Sequence, residues 1–155
     1  MSTLKGSLAV NALGEDMHSL KVKDYMLARP VTLSPDTTIP AAVEKFLHSN
    51  QMGGPVVDKQ GHLLGWISEQ DCLATMLEGT YHCEQVALVQ DVMRKEVLSV
   101  GPESSVLELA GMMTEHKPKM YPVLEDGRLV GVINRHLVLK AINEQLQDCF
   151  INHPA

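Results

Sequence analysis

The chain has 155 residues, 45% of them apolar and 21% charged, with a formal net charge of −6. That size fits one compact domain or two small halves sharing a core. An acidic chain without basic clusters is unsuited to nucleic acid, where affinity rests on neutralising phosphates, and to anionic membrane surfaces. No apolar run approaches the roughly 18 residues that span a bilayer, and Met1 to Leu20 lacks the basic start and apolar core of a signal peptide. Three widely spaced cysteines, Cys72, Cys83 and Cys149, argue against a disulfide framework or a zinc site and fit a reducing compartment. A cytoplasmic protein is expected.

Residues 1–20 show no clear period and read as an N-terminal arm. From there the chain says nearly the same thing twice. Val22-Lys23-Asp24-Tyr25-Met26 returns as Val89-Gln90-Asp91-Val92-Met93, 67 positions on. Pro35 and Pro55 return as Pro102 and Pro122 at the same offset of 67, and Gly65-Trp66-Ile67 returns as Gly131-Val132-Ile133 at 66. The missing residue falls in a turn, where deletions cost least.

Each copy opens on a short helical piece, followed by a strand at Val31-Thr32-Leu33 or Val97 to Val100. A turn composition comes next, and then a helix. In the first copy Ile39, Ala42, Val43, Phe46 and Leu47 form one apolar helical face. Thr38 is the expected N-cap, and Pro40 is tolerated in the first turn, where its missing amide would have no helical partner. In the second copy Val106, Leu109, Ala110 and Met113 repeat the stripe behind a Ser105–Glu108 capping box.

Two strands follow in each copy. Pro55 to Val57 and Leu63 to Ile67 flank Gly61; Pro122 to Leu124 and Leu129 to Ile133 flank Asp126-Gly127, a strong hairpin signal. A second helix closes each copy, marked by Leu73, Met76 and Leu77 in one and by Leu137, Val138, Ala141 and Ile142 in the other. Gly79 is the expected helix stop. The fold class expected is α/β (α+β): two βαββα repeats packed with pseudo-twofold symmetry. The organisation reads as an arm at 1–20, repeats at 21–78 and 89–143, a linker at 79–88 and a tail at 144–155. Each repeat alone is near the size where independent folding becomes marginal, so pairing buries the surface each needs to hide.

The Val-x-Asp-x-Met opening, the Gly-Pro-Val-Val-Asp strand and the Gly-Trp-Ile-Ser-x-x-Asp ending of the first copy, with the same order of elements met again in the second, resemble a tandem pair of cystathionine-β-synthase-type (CBS) domains, a Bateman module. The resemblance spans about Lys21 to Asn143. It implies a pseudo-twofold disc that binds adenosine-containing ligands in clefts between the copies, senses rather than catalyses, and often dimerises.

Ser68 and Asp71 are the first candidates on that basis, since in similar modules a hydroxyl residue and an aspartate three positions on hold phosphate and ribose. The chemistry suits this. An ionised aspartate only accepts hydrogen bonds, as ribose hydroxyls require. Ser68 stands at a helix start, where free amides attract phosphate. Ser-x-x-Asp is also a capping box in its own right, and both roles can hold at once. Thr32 and Leu33 with Gly53, Gly54 and Pro55 would wall an adenine, the glycines admitting a flat base close to the backbone. For Gly53 in particular, a helix C-cap is the competing reading.

The second copy departs from this pattern. Asn134 and Leu137 stand where Ser68 and Asp71 stood, and leucine accepts no ribose hydrogen bond. Met120 and Tyr121, before Pro122, replace the glycines and add bulk. Arg135 and His136 at that helix start could hold a phosphate, and Lys117 and Lys119 lie in the loop before Pro122, so the second cleft is either empty, specialised for another ligand, or a source of phosphate cations for a neighbouring site. His82-Cys83-Glu84 carries metal-ligand types, but adjacent residues rarely chelate one ion. Trp66 and the methionines read as packing. No catalytic motif is present.

These readings lead to a regulatory module, not an enzyme. It would require no cofactor and bind AMP, ADP or ATP as a regulatory ligand. It would form a homodimer through apolar helix faces and act through an unidentified effector. The rivals are a ligand-free interaction scaffold and a sensor of another adenosyl compound such as S-adenosylmethionine.

Overall fold

The computed structural model describes residues 20–79, 86–115 and 117–152. Its elements follow the repeat: α1 (Val22–Tyr25), α2 (Ile39–Ser49), β1 (Gly53–Val57), β2 (Leu63–Ser68), α3 (Glu69–Gly79), α4 (Val89–Val92), α5 (Val106–Met113), β3 (Met120–Glu125), β4 (Arg128–Asn134) and α6 (Arg135–Asn152). β1 pairs with β2 and β3 with β4, giving two small two-stranded sheets. Two compact units divide the chain. The β1–β2 unit draws on Arg29–Ser99 and Leu124–Val130; the β3–β4 unit draws on Met1–Ala28, Val100–Val123 and Gly131–Ala155. The short opening helix of each copy therefore belongs with the sheet of the other.

Within the β1–β2 unit, α2 begins where expected, with Thr38 Oγ1 accepting from the Ala41 amide at 3.3 Å. Ile39, Ala42 and Phe46 turn inward against Leu33, Val56, Ile67, Cys72 and Val89. Leu47, assigned to that face by its spacing, is exposed. The helix ends at Asn50, left-handed at φ 57°, so the C-cap falls there and not at Gly53.

β1 and β2 run antiparallel, Gly54 opposite Ile67 and Val56 opposite Gly65, with an irregularity between Val56 and Val57. Asp58 shapes the turn by accepting from the amides of Gln60 and His62, both at 2.9 Å, and Gly61 supplies its φ of 86°.

The strand expected at Val31 to Leu33 shrinks to one parallel bridge, Leu33 with Val56. The cause is local. Val31's amide and carbonyl are both taken by the Gln51 side-chain amide, at 3.3 Å each, so no ladder extends past Leu33. Val97 to Val100 likewise reduces to a Val100–Val123 bridge.

The repeated Val-x-Asp-x-Met opening has a packing explanation. A β-carbon placed on Gly65 would lie 2.6 Å from the Arg94 carbonyl and 2.7 Å from the Met93 sulfur. The bare glycine lets α4's end lie against β2, where Trp66 and Arg94 exchange backbone hydrogen bonds of 2.9 and 2.8 Å.

The β3–β4 unit repeats this. A β-carbon on Gly131 would meet the Met26 sulfur at 2.7 Å and the Leu27 carbonyl at 2.8 Å, and Leu27 and Val132 exchange bonds of 2.8 and 3.0 Å. Ser105 caps α5, accepting from the Glu108 amide at 3.3 Å. Asp126 and Gly127, at φ 54° and 79°, make the expected hairpin turn. The unit buries Val22, Val106, Leu109, Met113, Tyr121, Val123, Val132, Ile133, Val138 and Ala141. α6 runs on through 144–152, the stretch set apart in the sequence as a tail. Glu144 to Gln147 are straight-chain helix formers, and no glycine or proline interrupts them.

One helix faces the other way from its sequence reading. In α3, Leu73, Met76 and Leu77 are 60%, 44% and 61% exposed, while Cys72 is buried. The turn closed by Ser68 and Asp71 sets the phase of the helix, and that phase points position 72 inward. His82-Cys83-Glu84 and residues 1–19 of the arm lie outside the described residues.

Candidate functional site

Ser68 is the last residue of β2, and α3 starts immediately after it. The Ser68 amide donates to Asp71 Oδ2 at 3.0 Å, and the Asp71 amide donates to Ser68 Oγ at 3.1 Å. The capping box is thus closed in both directions. The other carboxylate oxygen, Oδ1, lies 3.6 Å from Arg94 Nη2. Asp71's side chain is 16% exposed and Arg94's is 67% exposed. Asp71 thus has one carboxylate oxygen committed to the cap and the other beside an exposed cation. Cys72, next along the helix, has its thiol held above the ordinary range by burial and then by Asp71 and Glu69. It is an inert core group.

The expected adenine wall is occupied differently. Leu33 is buried, and its amide and carbonyl bond to the Pro55 carbonyl at 3.0 Å and the Val57 amide at 2.9 Å. It offers a ligand neither side chain nor free backbone. The space beside Gly53 is taken by Trp66 Nε1 at 3.0 Å and the Ile67 carbonyl at 3.1 Å; that beside Gly54 is taken by the Val31 carbonyl, Gln51 and Phe46 at 3.1 to 3.5 Å. What these glycines admit on that side is the protein's own chain. Pro55 is buried as well. Thr32 is half-buried, and its carbonyl accepts from Lys45 Nζ at 3.3 Å. It lines an open groove of about 530 Å³ with Val31, Glu44, Lys45, His48 and Ser49. Ser68 and Asp71 do not line that groove.

In the β3–β4 unit, Asn134 Oδ1 accepts from the Leu137 amide at 2.8 Å. The cap is kept and the carboxylate is not. Arg135 and His136 are exposed in the first turn of α6, as are Lys117 and Lys119 in the loop before β3, and the Arg135 amide donates to the Lys119 carbonyl at 2.9 Å. Met120 is half-buried and Pro122 buried.

Tyr121 is fully buried, so it is a core residue and not a wall presented to a ligand. The exchange has a steric logic. Gly54, its counterpart, is covered by Phe46 and Gln51. Their counterparts in the repeat are the smaller Met113 and Pro118, beside a position that carries a buried ring in place of a glycine. Among the described residues its hydroxyl has no hydrogen-bond partner, and burial raises its pKa.

Arg94 was not among the sequence candidates. A signal for it exists in the repeat. Arg94 corresponds to Leu27, and Asp71 corresponds to Leu137. Both members of the ion pair have leucine as their counterpart in the other copy. Among the described residues no cluster of three metal-ligating side chains occurs, and no helix is long and apolar enough to cross a membrane.

Two antiparallel hairpins, each preceded by one helix and followed by another and each receiving a short helix from the other copy, define a tandem-repeat pair. The CBS domain model matches residues 22–78 and 89–144, and the chain belongs to that family. It is similar to the CBS domain-containing protein YhcV of Bacillus subtilis, 31% identical over 72% of this chain and 78% of that one. It is 30% identical to the A-adding tRNA nucleotidyltransferase of Aquifex aeolicus over 83% of this chain, but it spans only 15% of that enzyme's length.

Among solved structures, a putative acetoin utilization protein (AcuB) from Vibrio cholerae superposes with a TM-score of 0.75 at 29% identity, covering 88% of this chain and 98% of that one. CBSX2, solved in complex with AMP, superposes at 0.70 with 28% identity, covering 80% and 96%.

Proposed function

We propose that this CBS pair is a regulatory module whose ligand is an adenosine nucleotide (AMP, ADP or ATP) held at the Ser68–Asp71 start of α3. One observation carries the reading. Asp71 spends one oxygen on its cap and holds the other 3.6 Å from an exposed guanidinium. That is the acceptor a ribose needs. Similarity to CBSX2, which was solved with AMP, supports the ligand class. The ligand would shift the balance between two arrangements of the module, and the output would pass to an effector protein. The exposed Leu73, Met76 and Leu77 on α3 suit a homodimer, and the widely spaced cysteines suit the cytoplasm. Catalysis is no part of this reading.

A thermal-shift panel with AMP, ADP, ATP and S-adenosylmethionine tests it, because a ligand of the native state must raise the melting temperature. Calorimetry should then show Asp71→Ala abolishing nucleotide binding and Leu137→Ala leaving it intact. Equal losses would remove the asymmetry between the copies. A second reading, a ligand-free scaffold, is favoured by Tyr121 and by the filled space at Gly53 and Gly54. It expects no shift with any ligand.

A further inference from the structure

The ion pair at α3 singles out one kind of adenosyl compound. We infer that Arg94 is the specificity residue of this site, restricting it to anionic, phosphate-bearing nucleosides and disfavouring neutral or cationic ones. The inference rests on the nucleotide-binding reading above and adds a determinant to it.

Arg94 is attached at two points. Its backbone is fixed, exchanging hydrogen bonds with Trp66 at 2.8 and 2.9 Å. Its side chain is two-thirds exposed and reaches Asp71 Oδ1 at 3.6 Å, a separation that gives attraction without a formed hydrogen bond. An exposed pair at that distance contributes little to stability. Its replacement by two leucines in the other copy, at Leu27 and Leu137, leaves the hairpin and the cap intact there: Leu27 still pairs with Val132, and Asn134 still caps α6. The fold therefore does not need the pair.

Its effect on a ligand is larger. While Arg94 leans on Asp71, a neutral sugar must compete with a guanidinium for the same oxygen. A nucleotide brings its own anion, on which the guanidinium can make paired, charge-assisted bonds while Asp71 turns to the ribose. A sulfonium or ammonium group at the same place would meet a like charge. The phosphate thus works twice, binding Arg94 and freeing Asp71.

The test is calorimetry on the full chain with AMP, adenosine, 5′-methylthioadenosine and S-adenosylmethionine, using wild type, Arg94→Leu and Arg94→Lys. Wild type should prefer AMP over adenosine by about tenfold or more, the factor a charge-assisted hydrogen bond supplies. Arg94→Leu should collapse that preference, weakening AMP by about tenfold while leaving adenosine unchanged or tighter. Arg94→Lys should restore part of it. The preference of wild type should also shrink with added salt.

A ratio unchanged by Arg94→Leu, or an equal weakening of AMP and adenosine, overturns the assignment while nucleotide binding itself stands. Wild type that binds none of the four compounds, and neither ADP nor ATP, overturns the functional reading, and this inference falls with it. Circular dichroism should show Arg94→Leu folded as wild type, as its exposure requires.

Discussion

Replacing Tyr121 with phenylalanine should stabilise the protein, against the usual direction of core substitutions. The ring is fully buried, and its hydroxyl has no partner among the described residues. A hydroxyl taken out of water without a hydrogen bond costs about 1–3 kcal/mol. Tyr121→Phe removes that cost and leaves a gap of one oxygen, which returns part of the gain. A net gain of about 1 kcal/mol follows, or roughly 2–4 °C in melting temperature for a chain of this size. Tyr121→Gly, which installs the residue of the first copy, should instead cost about 4 kcal/mol or more, because it empties the space of a fully buried ring.

The same residue has a signature in alkali. Burial raises its folded pKa above 10.0. The folded state therefore favours the neutral phenol, and that share of stability holds below the unfolded pKa and is lost as pH rises past it. Tyr121→Phe removes that share of the loss; Tyr25, raised by burial and then by Glu144, Asp24 and Asp148, keeps its own. Urea denaturation at neutral and alkaline pH measures both effects. A Tyr121→Phe variant less stable than wild type at neutral pH by about 1 kcal/mol would mean that the hydroxyl is bonded, and the reasoning would fail.

Three further outcomes are expected. Gly65→Ala and Gly131→Ala should each lower stability by about 1–3 kcal/mol, since the added carbon meets a backbone carbonyl at 2.6 or 2.8 Å that cannot move aside as a side chain would; unchanged denaturation midpoints would refute the packing account of the repeated methionine and glycine. Ser68→Ala should cost about 1 kcal/mol through the lost cap even with no ligand present, and chemical denaturation without nucleotide checks it.

Glu103, bonded to Lys21 and Lys23 at 2.8 Å each, has its carboxyl lowered to about 2. A lowered folded pKa contributes stability that is present above the unfolded value and lost as pH falls toward the folded one. The gap between wild type and Glu103→Gln should accordingly close between about pH 4.5 and 2, and also in high salt, because the group is exposed. A gap constant through that range would contradict the pairing.

The sequence carried the fold through its doubled signals. Hairpin glycines, the Thr38 and Ser105 caps and the apolar spacing of α2 and α5 are local features, and each acts within a few residues of itself. What it did not carry depends on contacts far along the chain. Val31 lost its strand to the side chain of Gln51, and Leu73 and Leu77 turned outward because the cap at Ser68 and Asp71 set the phase of α3.

The candidate site divides the same way. Ser68 and Asp71 were legible as a local motif. Arg94, 23 positions beyond Asp71, was not, because only folding brings it beside the carboxylate. Leu33, Gly53, Gly54 and Tyr121 looked available to a ligand because a sequence does not say which neighbour fills the space next to a strand.

The proposal as a whole turns on where a nucleotide touches this chain. An amide-resolved NMR titration with AMP answers that directly. The account predicts that the largest and saturable shifts fall on Ser68, Asp71 and Arg94, and that they vanish in Asp71→Ala. Shifts centred on Lys45 and His48 in the groove beside Thr32, or no saturable shifts at all, would contradict it.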